Sequence, residues 1–225
     1  GDVYKRQDQY AVALALVVDG KPVMGVLGCP NLPHDQTNPE GGKGVLQAAV
    51  KGKGAVEIRL DDPKARPRTL RVDGVTDPKE AVVCDRVEAD KAAQSTIDRA
   101  AAHLGTDKRL HLDSQAKYAA VARGDASIYY RDASKGSQKA WDHGAGVPVV
   151  QEAGGKVTDG KGRDLDFGRG KYLKKNHGIV ATSGAIHDPA VEALKEAKKP
   201  PKVEVPEGML DFSGFHEEPL EGWEW

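Results

Sequence analysis

The segment from Trp141 to Asp159 limits what this chain can fold into more than any other. Asp142 is followed by small residues, then by the apolar positions Val147, Val150 and Ala153, a Gly154-Gly155 stop, and the strand-forming run Lys156-Val157-Thr158. A carboxylate therefore stands where an amphipathic helix begins. The first turn of a helix offers unpaired backbone N–H groups and the positive end of the helix dipole, and both favour a phosphate oxygen. A carboxylate in front of them can hold a hard divalent cation that the same phosphate bridges. Asp142 is accordingly a candidate metal ligand; the plainer reading is a helix N-cap.

The rest of the chain alternates strand and helix signals. Residues 10–18, the Asp19-Gly20-Lys21 turn and residues 22–27 predict a hairpin, since Asp-Gly tolerates the positive φ values of a tight turn. Residues 45–50, 55–60 and 68–72 read as further short strands between Gly-rich and Asp-Pro turns. Lys51-Gly52-Lys53-Gly54 has neither the Walker spacing nor a following helix, so it reads as a hairpin loop rather than a phosphate cradle. Strands are expected over 81–84, 109–112, 125–131 and 178–182, and helices over 88–104, 115–123 and 189–197, the second capped by Asp113-Ser114. This order predicts an α/β chain with a mixed sheet flanked by helices. Tyr129 and Tyr130 fall on opposite faces of one strand, one expected in the core and one at a cleft. Trp141 is expected as a core anchor beneath the helix start, and Asp159, Asp164 and Asp166 as turn formers.

Composition narrows the function classes. The 33 basic and 34 acidic residues nearly cancel, so no global field recruits nucleic acid or a membrane, and a small anionic ligand needs a local basic pocket. Hydrophobic residues make up 39% and charged residues 30%, as in soluble globular proteins. The longest apolar run, residues 11–18, is too short to span a bilayer. Cys29 and Cys84 are too few for a disulfide framework and lack metal-site spacing, which fits a reducing compartment such as the cytoplasm. A monomer is expected.

The Trp141-Asp142 run, the Glu152-Ala153-Gly154-Gly155 stop and the Thr-Asp-x-x-Gly-x-x-Leu-Asp-Phe stretch from Thr158 to Phe167 together resemble the signature of the inositol monophosphatase-like superfamily. Gln9-Tyr10-Ala11, Gly28-Cys29-Pro30-Asn31-Leu32, Asp113-Ser114-Gln115-Ala116-Lys117-Tyr118 and Leu165-Asp166-Phe167-Gly168 are similar to the branch that removes a phosphate from 3'(2'),5'-bisphosphonucleotides. The resemblance covers about residues 8–197. It implies an α+β layered sandwich and Mg²⁺-dependent hydrolysis of 3'-phosphoadenosine 5'-phosphate to AMP and phosphate. It further implies a place in sulfate assimilation and sensitivity to lithium. An inositol phosphate is the alternative substrate, because the Trp-Asp motif is common to the superfamily. By the same resemblance Asp142 binds one of the cations facing the scissile phosphate. Ser114, Lys117 and Arg131 contact the nucleotide, the two basic groups pairing with its non-scissile phosphate. Unaided by the resemblance, Ser114 reads as a helix cap and Lys117 as a solvated charge.

Several departures from the pattern matter. Relatives of this kind carry an Asp-Pro-x-Asp-Gly-Thr motif and an earlier Glu-Glu pair, which supply most metal ligands and orient the attacking water. Neither occurs here, so the chain is expected to be a C-terminal fragment, inactive alone or binding nucleotide weakly, with no catalytic residue assigned within it. Where relatives carry Glu-x-Gly-His, this chain has Glu88-Ala89-Asp90-Lys91, and Gly144 stands where Ala is usual. His143 is not assigned as a base, because neighbouring side chains on a helix diverge. Residues 1–7 read as a leader foreign to the family, and residues 198–225 as a flexible acidic tail outside it.

Overall fold

The computed structural model describes residues 9–86 and 91–200. The expected leader, the tail beyond residue 200 and the departure at residues 88–90 lie outside the described residues.

The first five strands form one antiparallel meander: β1 (Val12–Val18), β2 (Lys21–Pro33), β3 (Lys43–Val50), β4 (Ala55–Arg59) and β5 (Arg68–Thr69), in that spatial order. Asp19 and Gly20, at φ 50° and 73°, supply the positive-φ pair that joins β1 to β2, as the Asp-Gly signal required. The Lys51 to Gly54 turn does cradle an anion, but a protein one. The backbone N–H groups of Gly52 and Gly54 both donate to the Glu152 carboxylate, at 2.8 Å each.

The second sheet has the order β7-β6-β8-β10-β9, built from β6 (Val83–Asp85), β7 (Arg109–His111), β8 (Ile128–Lys135), β9 (Lys156–Thr158) and β10 (His177–Thr182). β6 pairs parallel with β7 and β8, while β10 pairs antiparallel with β8 and β9, so the sheet is mixed as expected. Helices α1 (Lys91–Leu104) and α4 (His187–Ala197) cover one face, burying Ile97, Ala100, Leu104, Ala190 and Leu194 against Val83, Ile128, Tyr130 and Val180. Helices α2 (Ala116–Arg123) and α3 (Gly146–Glu152) lie between the two sheets. The layers thus run sheet, helix pair, sheet, helix pair.

Small side chains set the spacing of the inner layer. Ala15, Gly25, Ala49 and Ala55 are cross-strand partners in one row over four strands, and the start of α3 seats on that row. A Cβ on Gly25 would stand 2.1 Å from the Ala145 carbonyl oxygen, and one on Gly146 would stand 2.3 Å from Tyr118 Cγ. Both contacts require glycine. The outer face of the first sheet carries Val12, Leu14, Leu16, Met24, Val26, Leu46 and Val56. Among the described residues Val12 and Leu14 remain 65% and 60% exposed. No helix among the described residues is long and apolar enough to cross a membrane.

A buried ionic cluster joins the first sheet to the end of α2. The Arg123 guanidinium, 2% exposed, donates to Asp125, to the Pro33 carbonyl at 2.7 Å, and lies 3.6 Å from Glu57. Gln47 and Arg68 complete the Glu57 carboxylate at 2.9 Å each.

Histidine burial gives the fold an acid-side weakness. His187 bridges Thr158 and Thr182 through both ring nitrogens at 2.9 Å, and burial, reinforced by the Lys156 charge, pulls its pKa from 6.5 to about 4. The folded state therefore holds this ring neutral while the unfolded chain protonates it near 6.5. The stabilisation is complete above that pH and is lost as pH falls from 6.5 toward 4. The melting temperature is expected to be lower at pH 5 than at pH 7 by roughly 5 °C. His187→Gln should reduce that difference, and an unchanged slope in that variant would contradict the assignment.

Candidate active site

The expected site residues lie between β7 and α2, on α2, within β8 and on the turn before α3. The segments just past β6 and β7 supply Arg86 and Asp113; β8 supplies Arg131 from within the strand; α2 supplies Lys117; a 3-10 turn, Ala140–Asp142, supplies the carboxylate.

Asp142 is not a helix N-cap. The 3-10 turn precedes α3, and the N–H groups of His143 and Gly144 already donate to Ala140, as does that of Val147 to His143. The expected cradle of free helix N–H groups is therefore largely spent on backbone partners. The Asp142 carboxylate is exposed and has no side-chain partner among the described residues. Its negative charge still reaches inward, adding to the burial that raises the Tyr118 and Tyr129 hydroxyl pKa values. Trp141 is a correction: it is 56% exposed, with Lys139 Nζ 5.8 Å from its ring centroid, and it anchors no core. The ring leaves the core because Gly146 lets Tyr118 fill the place beneath the helix start.

Ser114 adopts φ 58°, a left-handed backbone that is uncommon for serine, and its Oγ accepts the Ala116 N–H at 3.3 Å. The expected Asp113-Ser114 cap is corrected: α2 starts at Ala116, Gln115 stands at the N-cap position without a side-chain cap, and the Ser114 bond is a local i,i+2 turn just before the helix. Gln115 Nε2 donates to the Trp141 carbonyl at 3.4 Å, so the start of α2 is tied to the turn that carries Asp142.

Lys117 is the clearest departure from the residue-only reading. It is 4% exposed, not a solvated charge. Its Nζ donates to the Leu112 carbonyl at 3.0 Å and lies 5.5 Å from the Tyr129 ring centroid, and no carboxylate stands within ion-pair distance among the described residues. Burial pulls its pKa from 10.5 to about 8, offset in part by Asp113 and deepened by the like charge of Arg86. One oxygen of the buried Asp113 carboxyl also lacks a partner. Two of the three ammonium donors remain for an anion.

Arg131 lies within β8, on the same face as Tyr129, with its Nε donating to Gln138 Oε1 at 3.3 Å. Arg86 follows β6, and its charge acts on both Lys117 and Tyr129, which places it by the face of β8 that Tyr129 shares with Arg131. Arg86 has no hydrogen-bond or ion-pair partner among the described residues. The sequence reading missed it; an arginine just past a predicted strand whose parity matches Arg131 was the available signal. Tyr129 faces this cluster, but it is buried, as is Tyr130, whose hydroxyl donates to the Ala190 carbonyl at 2.9 Å. One tyrosine in the core and one at the cleft is thus corrected to two buried rings on opposite faces.

His143 is no base. It is 3% exposed, both ring nitrogens are engaged, and burial with the nearby Lys117 charge lowers its pKa to about 4. Asp159 organises its own turn, accepting from the Lys161, Arg163 and His177 backbone and from the Arg163 guanidinium. Both cysteines are buried free thiols pushed up to about 12 by desolvation.

No group of three His, Cys, Asp or Glu side chains with metal-holding geometry occurs among the described residues. An exposed, unpartnered Asp142 does fit one carboxylate's share of an Mg²⁺ site completed by water and phosphate, the arrangement this ion prefers.

The inositol monophosphatase family model matches residues 4–199. The chain belongs to the inositol monophosphatase family. Similar members include the 3'(2'),5'-bisphosphate nucleotidases of Schizosaccharomyces pombe, 42% identical over 194 residues, and Emericella nidulans, 41% identical over 211 residues. These matches cover 84% and 87% of this chain but only 55% and 60% of the relatives, so the chain spans little more than half their length. Among solved family members, the inositol monophosphatase of Anabaena superposes with a TM-score of 0.61 at 24% identity, covering 84% of this chain and 66% of that one. The layered sandwich implied by the sequence motifs is thus the family fold.

Proposed function

We propose that this chain supplies the phosphate-contacting side of a Mg²⁺-dependent phosphatase that acts on 3'(2'),5'-bisphosphonucleotides, 3'-phosphoadenosine 5'-phosphate foremost. The observation that carries the reading is a nine-tenths buried lysine with no carboxylate within ion-pair distance among the described residues, repelled by the like charge of Arg86. A buried cation of this kind is costly unless an anion meets it. The names of the relatives supply that anion: a nucleotide with two phosphates.

In this reading Lys117, Arg131 and Arg86 hold the phosphate that stays, and the Ser114 hydroxyl donates to the same substrate. Asp142, on the far side of the α2 start, faces the phosphate that leaves. A divalent cation bound there supplies positive charge at the scissile group. Hydrolysis forms a bond from water oxygen to phosphorus and breaks the bond from phosphorus to the ribose oxygen, which takes a proton. The burial of Lys117 keeps water from competing for its donors.

Lys117→Met tests the assignment, because it removes the charge while filling the same volume. The Michaelis constant for 3'-phosphoadenosine 5'-phosphate should rise about tenfold or more, with a much smaller change for an inositol monophosphate that has no second phosphate. The urea midpoint should hold or rise, since an unpaired buried charge is lost. Equal losses on both substrates would make Lys117 structural and favour the inositol phosphate reading.

A further inference from the structure

We propose that Gln138 and His143 are positioning residues, a buried polar strut that aims the Arg131 guanidinium at the second phosphate; the proposal rests on the bisphosphonucleotide reading. Three hydrogen bonds make the strut. Arg131 Nε meets Gln138 Oε1 at 3.3 Å, His143 Nε2 meets the same oxygen at 2.9 Å, and His143 Nδ1 meets the Tyr118 hydroxyl at 2.7 Å. Gln138, His143 and Tyr118 are 6%, 3% and 1% exposed, so water does not compete for these bonds.

The donors and acceptors admit one arrangement. Arginine can only donate, so the oxygen of the Gln138 amide faces it. That oxygen can only accept, so His143 carries its proton on Nε2, and its bare Nδ1 accepts from Tyr118. The amide nitrogen of Gln138 donates to Ser137 Oγ at 3.2 Å, which fixes the remaining side of the group.

Both ends of the strut are anchored. The Tyr118 ring stands edge-on to Tyr129 at 5.0 Å and is held by the close approach of Gly146. The Gln138 backbone carbonyl accepts the Leu173 N–H at 2.9 Å. With Nε committed, the two terminal nitrogens of Arg131 are presented as a fork with no other partner among the described residues, the shape that matches two phosphate oxygens. A flexible arginine loses rotamer freedom on binding; one held in advance loses less. Because His143 directly follows Asp142, the same strut fixes the phosphate-holding arginine relative to the carboxylate that faces the other phosphate.

The strut is read first in this chain. A two-bond ¹H–¹⁵N spectrum should show the His143 ring as the Nε2–H tautomer, and Gln138→Leu should convert it to a mixture. An Nδ1–H ring in the unsubstituted chain overturns the strut whatever the enzymology gives. Kinetics, on the protein form that releases phosphate, then compare 3'-phosphoadenosine 5'-phosphate with adenosine 3'-monophosphate. Gln138→Leu should raise the Michaelis constant for the bisphosphate about tenfold, with less than about a twofold change in turnover, and should affect the monophosphate much less. Gln138→Glu keeps the acceptor and should restore the lower constant. If Arg131→Ala raises the bisphosphate constant while Gln138→Leu does not, the positioning role is wrong. If Arg131→Ala itself changes nothing, the bisphosphonucleotide reading fails instead.

Discussion

Asp142→Asn is expected to lower turnover about a hundredfold or more and to shift the Mg²⁺ dependence to higher concentration. The carboxylate is exposed and meets no side-chain donor among the described residues, so the fold gains nothing measurable from its charge. What the amide loses is affinity for a hard cation, which prefers anionic oxygen. Charge at a transferring phosphoryl group is worth several kcal/mol, and loss of a supporting carboxylate around a metal commonly costs ten- to a hundredfold. The melting temperature should stay within about 2 °C, which separates this variant from a folding defect. An unchanged Mg²⁺ profile would remove Asp142 from the cation site.

Arg123→Leu should have the largest effect on stability. The guanidinium is enclosed, and its removal would leave Glu57, 6% exposed, and Asp125, 17% exposed, facing each other without their shared cation. Burial already raises the Asp125 pKa, and the Arg123 charge and hydrogen bond, with a smaller share from Arg68, oppose that rise. Breaking a buried pair from one side costs about 3–5 kcal/mol. For a chain of this size that is a drop of about 10 °C in melting temperature. Arg68 reaches Glu57 from the surface, 54% exposed, and offsets little of the loss. A loss under about 1 kcal/mol in urea titrations would show that the cluster is relaxed by solvent.

The sequence made some of this legible and hid the rest for physical reasons. Local chemistry read well: Asp19-Gly20 gave a turn, Gly154-Gly155 a helix stop, and Lys156-Val157-Thr158 a strand with the observed bounds. Layering did not follow from periodicity, because the apolar runs of β1 and β2 do not say which sheet a strand joins. The row of Ala15, Gly25, Ala49 and Ala55 that seats α3 exists only once the register is known. At the site, Ser114, Lys117, Arg131 and Asp142 came from motif resemblance; in the structure Lys117 lies over the Tyr129 ring on β8, and Gln115 ties the start of α2 to the turn that carries Asp142. Lys117 read as solvated because helix position alone does not reveal a sheet lying over the helix. The strut escaped notice because Gln138 and His143 are five residues apart and meet only through the chain turn between them. Trp141 misled for the opposite reason: aromatic character argues burial, yet Gly146 admits Tyr118 instead.

Phosphate release from 3'-phosphoadenosine 5'-phosphate, with and without Mg²⁺, tests the central claim most directly. It should be run on this chain and on a version extended through any coding sequence upstream of it. The account predicts Mg²⁺-dependent release by the extended protein, faster than from an inositol monophosphate, and little or none from the 225-residue chain alone. Release that ignores Mg²⁺, or that favours the inositol phosphate, would contradict it.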